Sequence, residues 1–513
     1  MPSKVFSAAL IGLEAQPIEV EVDMFPGQLP SFNIVGLPDT AVSESKERVS
    51  SAIRNTGGSP PLHSNRKVIV NLAPADIKKE GSVYDLPIAV GYLIASNQLT
   101  LKNTAVSKTL FIGELSLEGK LRPAYGILPV ALMAKTLGFN ALFVPKENAA
   151  EAALVKNIEV FPVESLEQII QHLEETNKII PAPPTEISQY FSRAEFSCDM
   201  GFIKGQEHAK RALEIAAAGA HNILFSGPPG AGKTLLARTI PSILPPMTFD
   251  EALEVTKIYS IVGYLSKNNP VVGQRPFRSP HHTASAVALV GGGAVPKPGE
   301  ITLSHRGFLF LDEFPEFNRQ VLEALRQPLE DGIISVARAQ RAINFPARFM
   351  LVAAMNPCPC GKLTDPARDC QCSPAQVLKY KRKISGPLLD RIDLHIEVPP
   401  VKFDKLSSEK VAEESASVRQ RVSRARKKQE ERFAALPISS NSEMGIKEIK
   451  QFCALDAKTK DFLKNAAIQL NLSARSFYRV LKLSRTIADL AASSHISFTH
   501  VAEALQYRPK EEI

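Results

Sequence analysis

The sequence predicts an α/β protein organised around a phosphate-binding loop, and three observations carry that prediction. A short apolar run enters the Gly/Pro loop Gly227–Gly232 and leaves through Lys233 and Thr234 into a helical pattern. A second apolar run, 307–311, ends in the adjacent acids Asp312 and Glu313. Ahead of both, residues 5–175 alternate strand-like and helix-like segments. Such alternation belongs to α/β and α+β architectures.

The 513-residue chain is long enough for about three domains. A charged fraction of 22% and an apolar fraction of 44% describe a folded chain rather than a disordered one. The net charge of +8 leans toward an acidic partner such as nucleic acid. No apolar run approaches the roughly 18 residues a spanning helix needs, and Glu14 interrupts the first apolar stretch. The expectation is a cytoplasmic chain with no membrane partner. In that compartment six cysteines do not suggest a disulfide framework.

In the front part, strands are predicted at 5–13, 18–22, 32–35, 67–72, 110–113 and 141–144, with helices at 43–54, from Leu86, at 127–136 and at 166–175. The stretches VNLAPADIKKEGSVYDLPIAV and GELSLEGKLRPAYGILPVALMAKTLGFNALFVPKEN resemble the proteolytic domain of Lon proteases and the related domain of RadA recombination proteins. The resemblance implies a Lon-like α+β domain over 1–177. It also implies a Ser–Lys dyad, but Val83 stands at the serine position and Leu128 at the lysine position. Ser82 is one residue off and Lys135 lies two helical turns on, and a hydroxyl without a base in reach is not an activated nucleophile. A scaffold or nucleic-acid-handling role is expected instead.

Pro181, Pro183 and Pro184 mark a linker over 178–195. The nucleotide-binding core is expected over 196–400. At its start Ile203-Lys204-Gly205-Gln206 precedes an Ala-rich helix, a pattern that also suits a simple helix N-cap. In the phosphate loop, Gly227, Pro228, Pro229, Gly230, Ala231 and Gly232 leave backbone N–H groups free to surround phosphate oxygens. Lys233 neutralises charge and the Thr234 hydroxyl ligates magnesium. The span 235–311 exceeds what a compact core needs, and GQRPFRSPHHTASAVALVGGGAVPKPGE reads as a projecting insertion that carries Lys297. His281 and His282 make poor joint metal ligands because neighbours point in different directions.

Asp312 emerges where an open α/β sheet binds ligands and would hold the magnesium shell, while Glu313 would orient or deprotonate the attacking water. The segment 333–345 reads as a hairpin with Arg338 and Arg341 at its tip, suited to sequence-independent phosphate contacts or to plain solvation. The strand 348–354 runs into Asn356. Next, Cys358, Cys360, Cys370 and Cys372 form a C-x-C, nine-residue, C-x-C insertion over 358–372, fitting a closed tetrahedral zinc site or four reduced thiols. In SGPLLDRIDLHIEVP, Arg391 stands among apolar residues and could also pair with Asp390 or Asp393.

The order of phosphate loop, insertion, Asp-Glu strand, hairpin, Asn356 and LLDRIDLHI looks like the magnesium-chelatase branch of AAA+ ATPases. With the Lon-like front and the cysteine insertion it is similar to the ComM/YifB family over nearly the whole chain. The resemblance implies that Ile203, Gly205 and Gln206 contact the base, that Asn356 positions the lytic water, and that Arg391 reaches a neighbour's nucleotide as an arginine finger. It further implies that Arg475, at a helix start in LNLSARSFYRV, is a second-sensor arginine at the γ-phosphate. An arginine supplied by a neighbour requires a ring, here a homohexamer.

The segment 411–433 is a charged helix with Arg419, Arg421, Arg424, Arg426, Lys427 and Lys428, either a connector or a nucleic-acid contact. Beyond it, helical spacing to Leu505 predicts a lid, so that 401–513 forms a helical linker and lid. The implied function is a bacterial DNA motor, using ATP and Mg2+, that drives branch migration of transforming DNA. A metal-chelatase motor subunit with a protein partner and an ATP-dependent protease are the alternatives.

Overall fold

The computed structural model describes residues 2–509 except 28, 64, 103, 192–195, 197, 294–295, 337–341 and 402–411. Its contacts divide the chain into two compact units, residues 1–193 with 248–273 and residues 194–247 with 274–513.

The first unit is built on a seven-stranded mixed sheet. Its strands are β1 (Ser3–Ile11), β2 (Glu14–Pro26), β3 (Ser31–Val35), β4 (Arg66–Ala73), β5 (Thr109–Phe111), β6 (Ala141–Pro145) and β7 (Glu159–Val163), in the order β3-β4-β2-β1-β5-β6-β7. β1 and β2 pair antiparallel, Ser3 opposite Val22 and Ile11 opposite Glu14. Ile18, Val20 and Val22 are all fully buried, the alternation expected of a strand with one face on a core. β7 carries no strong strand signal because Pro162 interrupts it. It lies at the sheet's edge, where a missing N–H is tolerated. Helices α1 (Ser45–Asn55), α2 (Asp85–Ala95), α3 (Ile127–Thr136) and α4 (Leu166–Leu173) complete the layer.

Among the described residues, none of the candidates forms a Ser–Lys pair. Val83 packs against the core, Leu128 is fully buried in α3 and Lys135 is exposed in the last turn of α3. The Ser82 hydroxyl donates to the Glu114 carboxylate, which gives it an acidic partner rather than an amine.

One helix of the span between the phosphate loop and the Asp-Glu strand, Phe249–Val262, ahead of the expected insertion, belongs by its contacts to this unit. Thr248 and Glu251 close a capping box at its start, and it packs on α3. Ser260 from this helix donates 2.5 Å to buried Glu151, which also accepts from the Leu128 N–H at 2.8 Å. Burial pushes the Glu151 carboxyl above its ordinary range, and these donors offset part of that push.

The second unit holds a five-stranded parallel sheet. Its members are β8 (Ile223–Ser226), β9 (Phe277–Arg278), β10 (Phe308–Leu311), β13 (Met350–Met355) and β14 (Leu394–Glu397), in the order β9-β10-β13-β8-β14. β10 and β13 are buried along their whole length, as befits central parallel strands covered on both faces. Between them β11 (Ile333–Val336) and β12 (Ile343–Pro346) form the antiparallel hairpin read from the sequence; its tip residues Arg338 and Arg341 lie outside the described residues. Helices α5 (Glu207–Gly219) and α6 (Lys233–Ile243) flank β8.

The charged helix α7 (Ser415–Phe433) packs one face inward and keeps Arg424 and Lys427 exposed. Val418, Val422, Ala425, Gln429 and Phe433 bury one side of it against α5 and α6. On the other, Arg421 pairs with Glu214 and Glu413, Arg426 donates to the Ala217 carbonyl at 3.0 Å, and Arg432 pairs with Asp489 at 2.8 Å. These three arginines are thus engaged within the chain. Helices α8 (Ala474–Leu490) and α9 (Phe498–Gln506) share one apolar cluster with the sheet. Among the described residues no helix is long and apolar enough to cross a membrane.

Replacing Glu151 by Ala leaves the buried Leu128 N–H without its acceptor. The expected cost is about 1–3 kcal/mol, read as a lower urea midpoint for the first unit, with Glu151→Gln closer to wild type.

Candidate nucleotide site

β8 delivers the chain into the loop Gly227–Gly232 at the carboxyl edge of the sheet. Gly230 and Gly232 hold φ of +80° and +90°, which side chains resist, and a Cβ on Gly227 would sit 2.2 Å from the Val398 carbonyl oxygen. α6 begins at Lys233, so its unpaired N–H groups face the loop. The Lys233 ammonium donates to the carbonyls of Gly227 (2.6 Å) and Pro228 (3.0 Å) and to Asn356 Oδ1 (3.1 Å). Burial lowers its pKa from the ordinary lysine value, and the nearby Asp312 charge works against that.

The Thr234 hydroxyl donates 2.8 Å to Asp312 Oδ2, and the other oxygen of Asp312 accepts from the Glu313 N–H at 2.9 Å. A hydroxyl and a carboxylate already in contact are the oxygen pair a magnesium ion takes. Glu313 has a left-handed backbone, φ +51°, unusual for a residue with a side chain. Its carboxylate is partnered by His282 Nδ1 at 3.1 Å. His282 therefore stands beside the acid rather than in a metal set, a pairing that sequence spacing did not reveal.

Gln206, also left-handed at φ +59°, donates to the Pro399 carbonyl at 2.6 Å and reaches the Ala231 carbonyl at 3.5 Å. Gly205 precedes it and Ile203 is buried, so this segment touches the loop. Lys297 is exposed in a short ladder of Lys297–Pro298 against Gly291–Gly292.

Arg391 is buried and pairs with neither Asp390 nor Asp393. It donates 2.5 Å to the Pro387 carbonyl and pairs with Glu330, and Glu330 Oε1 also accepts from Arg475 at 2.6 Å. Asp393 instead takes Arg479 at 2.6 Å and His221 at 3.3 Å. Burial alone would push Asp393 up, but the Arg479 charge and the His221 hydrogen bond outweigh it and hold the carboxyl below its usual range. Sequence reading missed Glu330, since nothing in its own neighbourhood announces a partner so far along the chain.

The four cysteines converge. Cys358 Sγ lies 3.4 Å from Cys360 Sγ and 3.6 Å from Cys370 Sγ, and all four sulfurs lie within 4.8 Å of one another. Sulfurs on a tetrahedral zinc with bonds of about 2.3 Å stand roughly 3.8 Å apart, so the donor set fits that ion. N–H groups of Lys362 and Gln371 hold the Cys360 thiol below the ordinary range, while the neighbouring thiols Cys370 and Cys372 are pushed up. At Gly361 a Cβ would meet Pro229 at 2.6 Å, so the cysteine loop lies directly against the phosphate loop.

Residues 199–406 match the family model described as magnesium chelatase, subunit ChlI, and 412–508 match its C-terminal model. Residues 20–148 match a further model, subunit ChlI of Mg-chelatase. The chain is 46% identical over 510 residues to competence protein ComM of Haemophilus influenzae, covering 98% of this chain and 97% of that one. The chain belongs to the ComM/YifB family. The YifB protein of Escherichia coli is 44% identical, with coverage of 99% and 97%. Lon protease 2 of Bacillus subtilis is 27% identical over 187 residues, 33% of this chain and 31% of that protein. This ComM/YifB member is thus a magnesium-chelatase-like AAA+ ATPase, a class that uses ATP and Mg2+.

For the cysteine set, the purified chain is expected to carry about one zinc equivalent. Cys358→Ser and Cys370→Ser should each lose it, measured by metal analysis and by a chromogenic chelator after thiol modification.

Proposed function

We propose that this chain is an ATP-driven DNA motor that assembles as a homohexamer and drives branch migration as transforming DNA recombines. The observation that supports it best is the convergence of Lys233, Thr234, Asp312, Glu313 and Asn356 on one sheet edge, in a chain resembling a competence protein along its whole length.

In this reading Gly227–Gly232 and the start of α6 cradle the phosphates, and Lys233 exchanges its carbonyl partners for phosphate oxygens. Thr234 and Asp312 hold Mg2+, which when bound offsets charge on the transferring phosphoryl group. Glu313 accepts the proton of the attacking water, once its carboxylate leaves His282, and Asn356 fixes that water's position. Arg391 and Arg475 bring positive charge to the phosphoryl group, a contribution worth about 10³–10⁵ in turnover for an arginine finger. Gly205 and Gln206 lie against the base. Lys297, with Arg338 and Arg341 at the hairpin tip, supplies phosphate contacts on DNA, and hydrolysis moves these elements against the strand. The four thiolates bind zinc as a structural staple of the loop beside Pro229.

Two measurements test this. Glu313→Gln is expected to bind ATP and assemble normally while ATP-dependent branch migration of a synthetic three- or four-way junction stops; retained strand movement in that variant would remove its assigned role. Arg391→Ala is expected to lose turnover alone and to regain it in mixed rings with Glu313→Gln subunits that supply the finger. Hydrolysis indifferent to DNA, with no strand movement by the wild type, would favour a chelatase-like or protein-remodelling ATPase.

A further inference from the structure

Glu330 is the next-to-last residue of a short helix, Arg326–Asp331, that leads into the hairpin strand β11. Its two carboxylate oxygens are divided between two arginines distant in sequence: Oε2 pairs with Arg391 and Oε1 accepts from Arg475 at 2.6 Å. Arg391 is 6% exposed and Arg475 51% exposed, so the anchored member of the pair is buried and the other faces outward. Burial pushes the Glu330 carboxyl up, and Arg391, Arg475 and Arg479 outweigh it, leaving it below the ordinary carboxylate range.

Neither guanidinium is used up by this contact. Arg391 donates through Nη1 to the Pro387 carbonyl and through Nη2 to Glu330, while its buried Nε has no hydrogen-bond partner among the described residues. A guanidinium carries five donors in a fixed fork. An unpaired buried donor is costly to leave unmade, and a phosphate oxygen is the acceptor that would satisfy it.

We propose that Glu330 is a positioning residue that locks Arg391 and Arg475 into one two-pronged clamp for a single phosphoryl group. This rests on the ATPase reading above. Because the two arginines share one carboxylate, they act on the same nucleotide, and neither keeps its aim when the carboxylate is removed. The hairpin begins three residues beyond Glu330, which ties the clamp's position to the element proposed to touch DNA.

The test compares wild type, Glu330→Ala, Glu330→Gln, Arg475→Ala and the double variant Glu330→Ala/Arg475→Ala. Steady-state ATPase is measured beside assembly by sedimentation velocity and thermal midpoint. Mispositioning by about 1 Å costs on the order of 10²-fold. Glu330→Ala is therefore expected to lower kcat about 10–100-fold with KM for ATP little changed. Glu330→Gln keeps one acceptor oxygen and is expected to fall between. The double variant should be no slower than Glu330→Ala alone, because an Arg475 that has already lost its aim contributes nothing further to lose. A Glu330→Gln variant that assembles and turns over like wild type would overturn the proposal. So would losses that simply multiply in the double variant, a change confined to KM, or a variant that only fails to assemble. If the wild type itself hydrolyses no ATP, the proposed function falls instead.

Discussion

The Lys233 ammonium holds the site together. It reaches two carbonyls of the phosphate loop and the side chain of Asn356, which sits at the end of a different strand. A charge-assisted contact of this kind is stronger than a neutral hydrogen bond and is little screened where water is excluded. It links the loop after β8 to the end of β13, which the sheet already sets side by side. The cysteine loop that follows Asn356 is thereby drawn against Pro229. Each further piece of the site is positioned from that knot.

Behind the knot, a buried polar network joins the sheet to the helical lid. His221 contacts Asp393 at 3.3 Å and Thr486 at 2.8 Å, while Asn441 donates 2.9 Å to Asp489, which also pairs with Arg432. Burial lowers the His221 pKa, and the ring links an acid to a hydroxyl. Removing one member would leave an uncompensated polar group in the interior, which costs more than the pair itself contributes. The network thus favours one arrangement of lid and sheet, and with it one placement of α8, which carries Arg475.

The parts of this architecture that local chemistry dictates were readable from the sequence. The loop 227–234, the strand ending in Asp312 and the four-cysteine cluster each announce themselves within a short window, because spacing alone makes the chemistry. The strands of the first unit followed from alternation, apart from β7, whose Pro162 is acceptable only at a sheet edge that the sequence does not reveal. What escaped was pairing at long range. Glu330 meets Arg391 and Arg475, and His282 meets Glu313, only because the fold brings separate segments together. The partners of Arg421, Arg426 and Arg432 in α7 escaped for the same reason: Glu214, the Ala217 carbonyl and Asp489 lie on other helices.

The helix Phe249–Val262 sits in the first unit, although the chain on either side of it belongs to the second. The backbone therefore passes between the units three times, near 193, 247 and 273. The front unit is spliced in rather than appended. A cut at the proline-rich stretch near 181–184 would free most of it yet leave Val255 and Ile258, both buried, without the surface that covers them. Severing one strand of a three-stranded splice does not release a module. The front unit is thus assembled from two separate stretches of chain, and an end-to-end fusion at a single junction would carry only one of them.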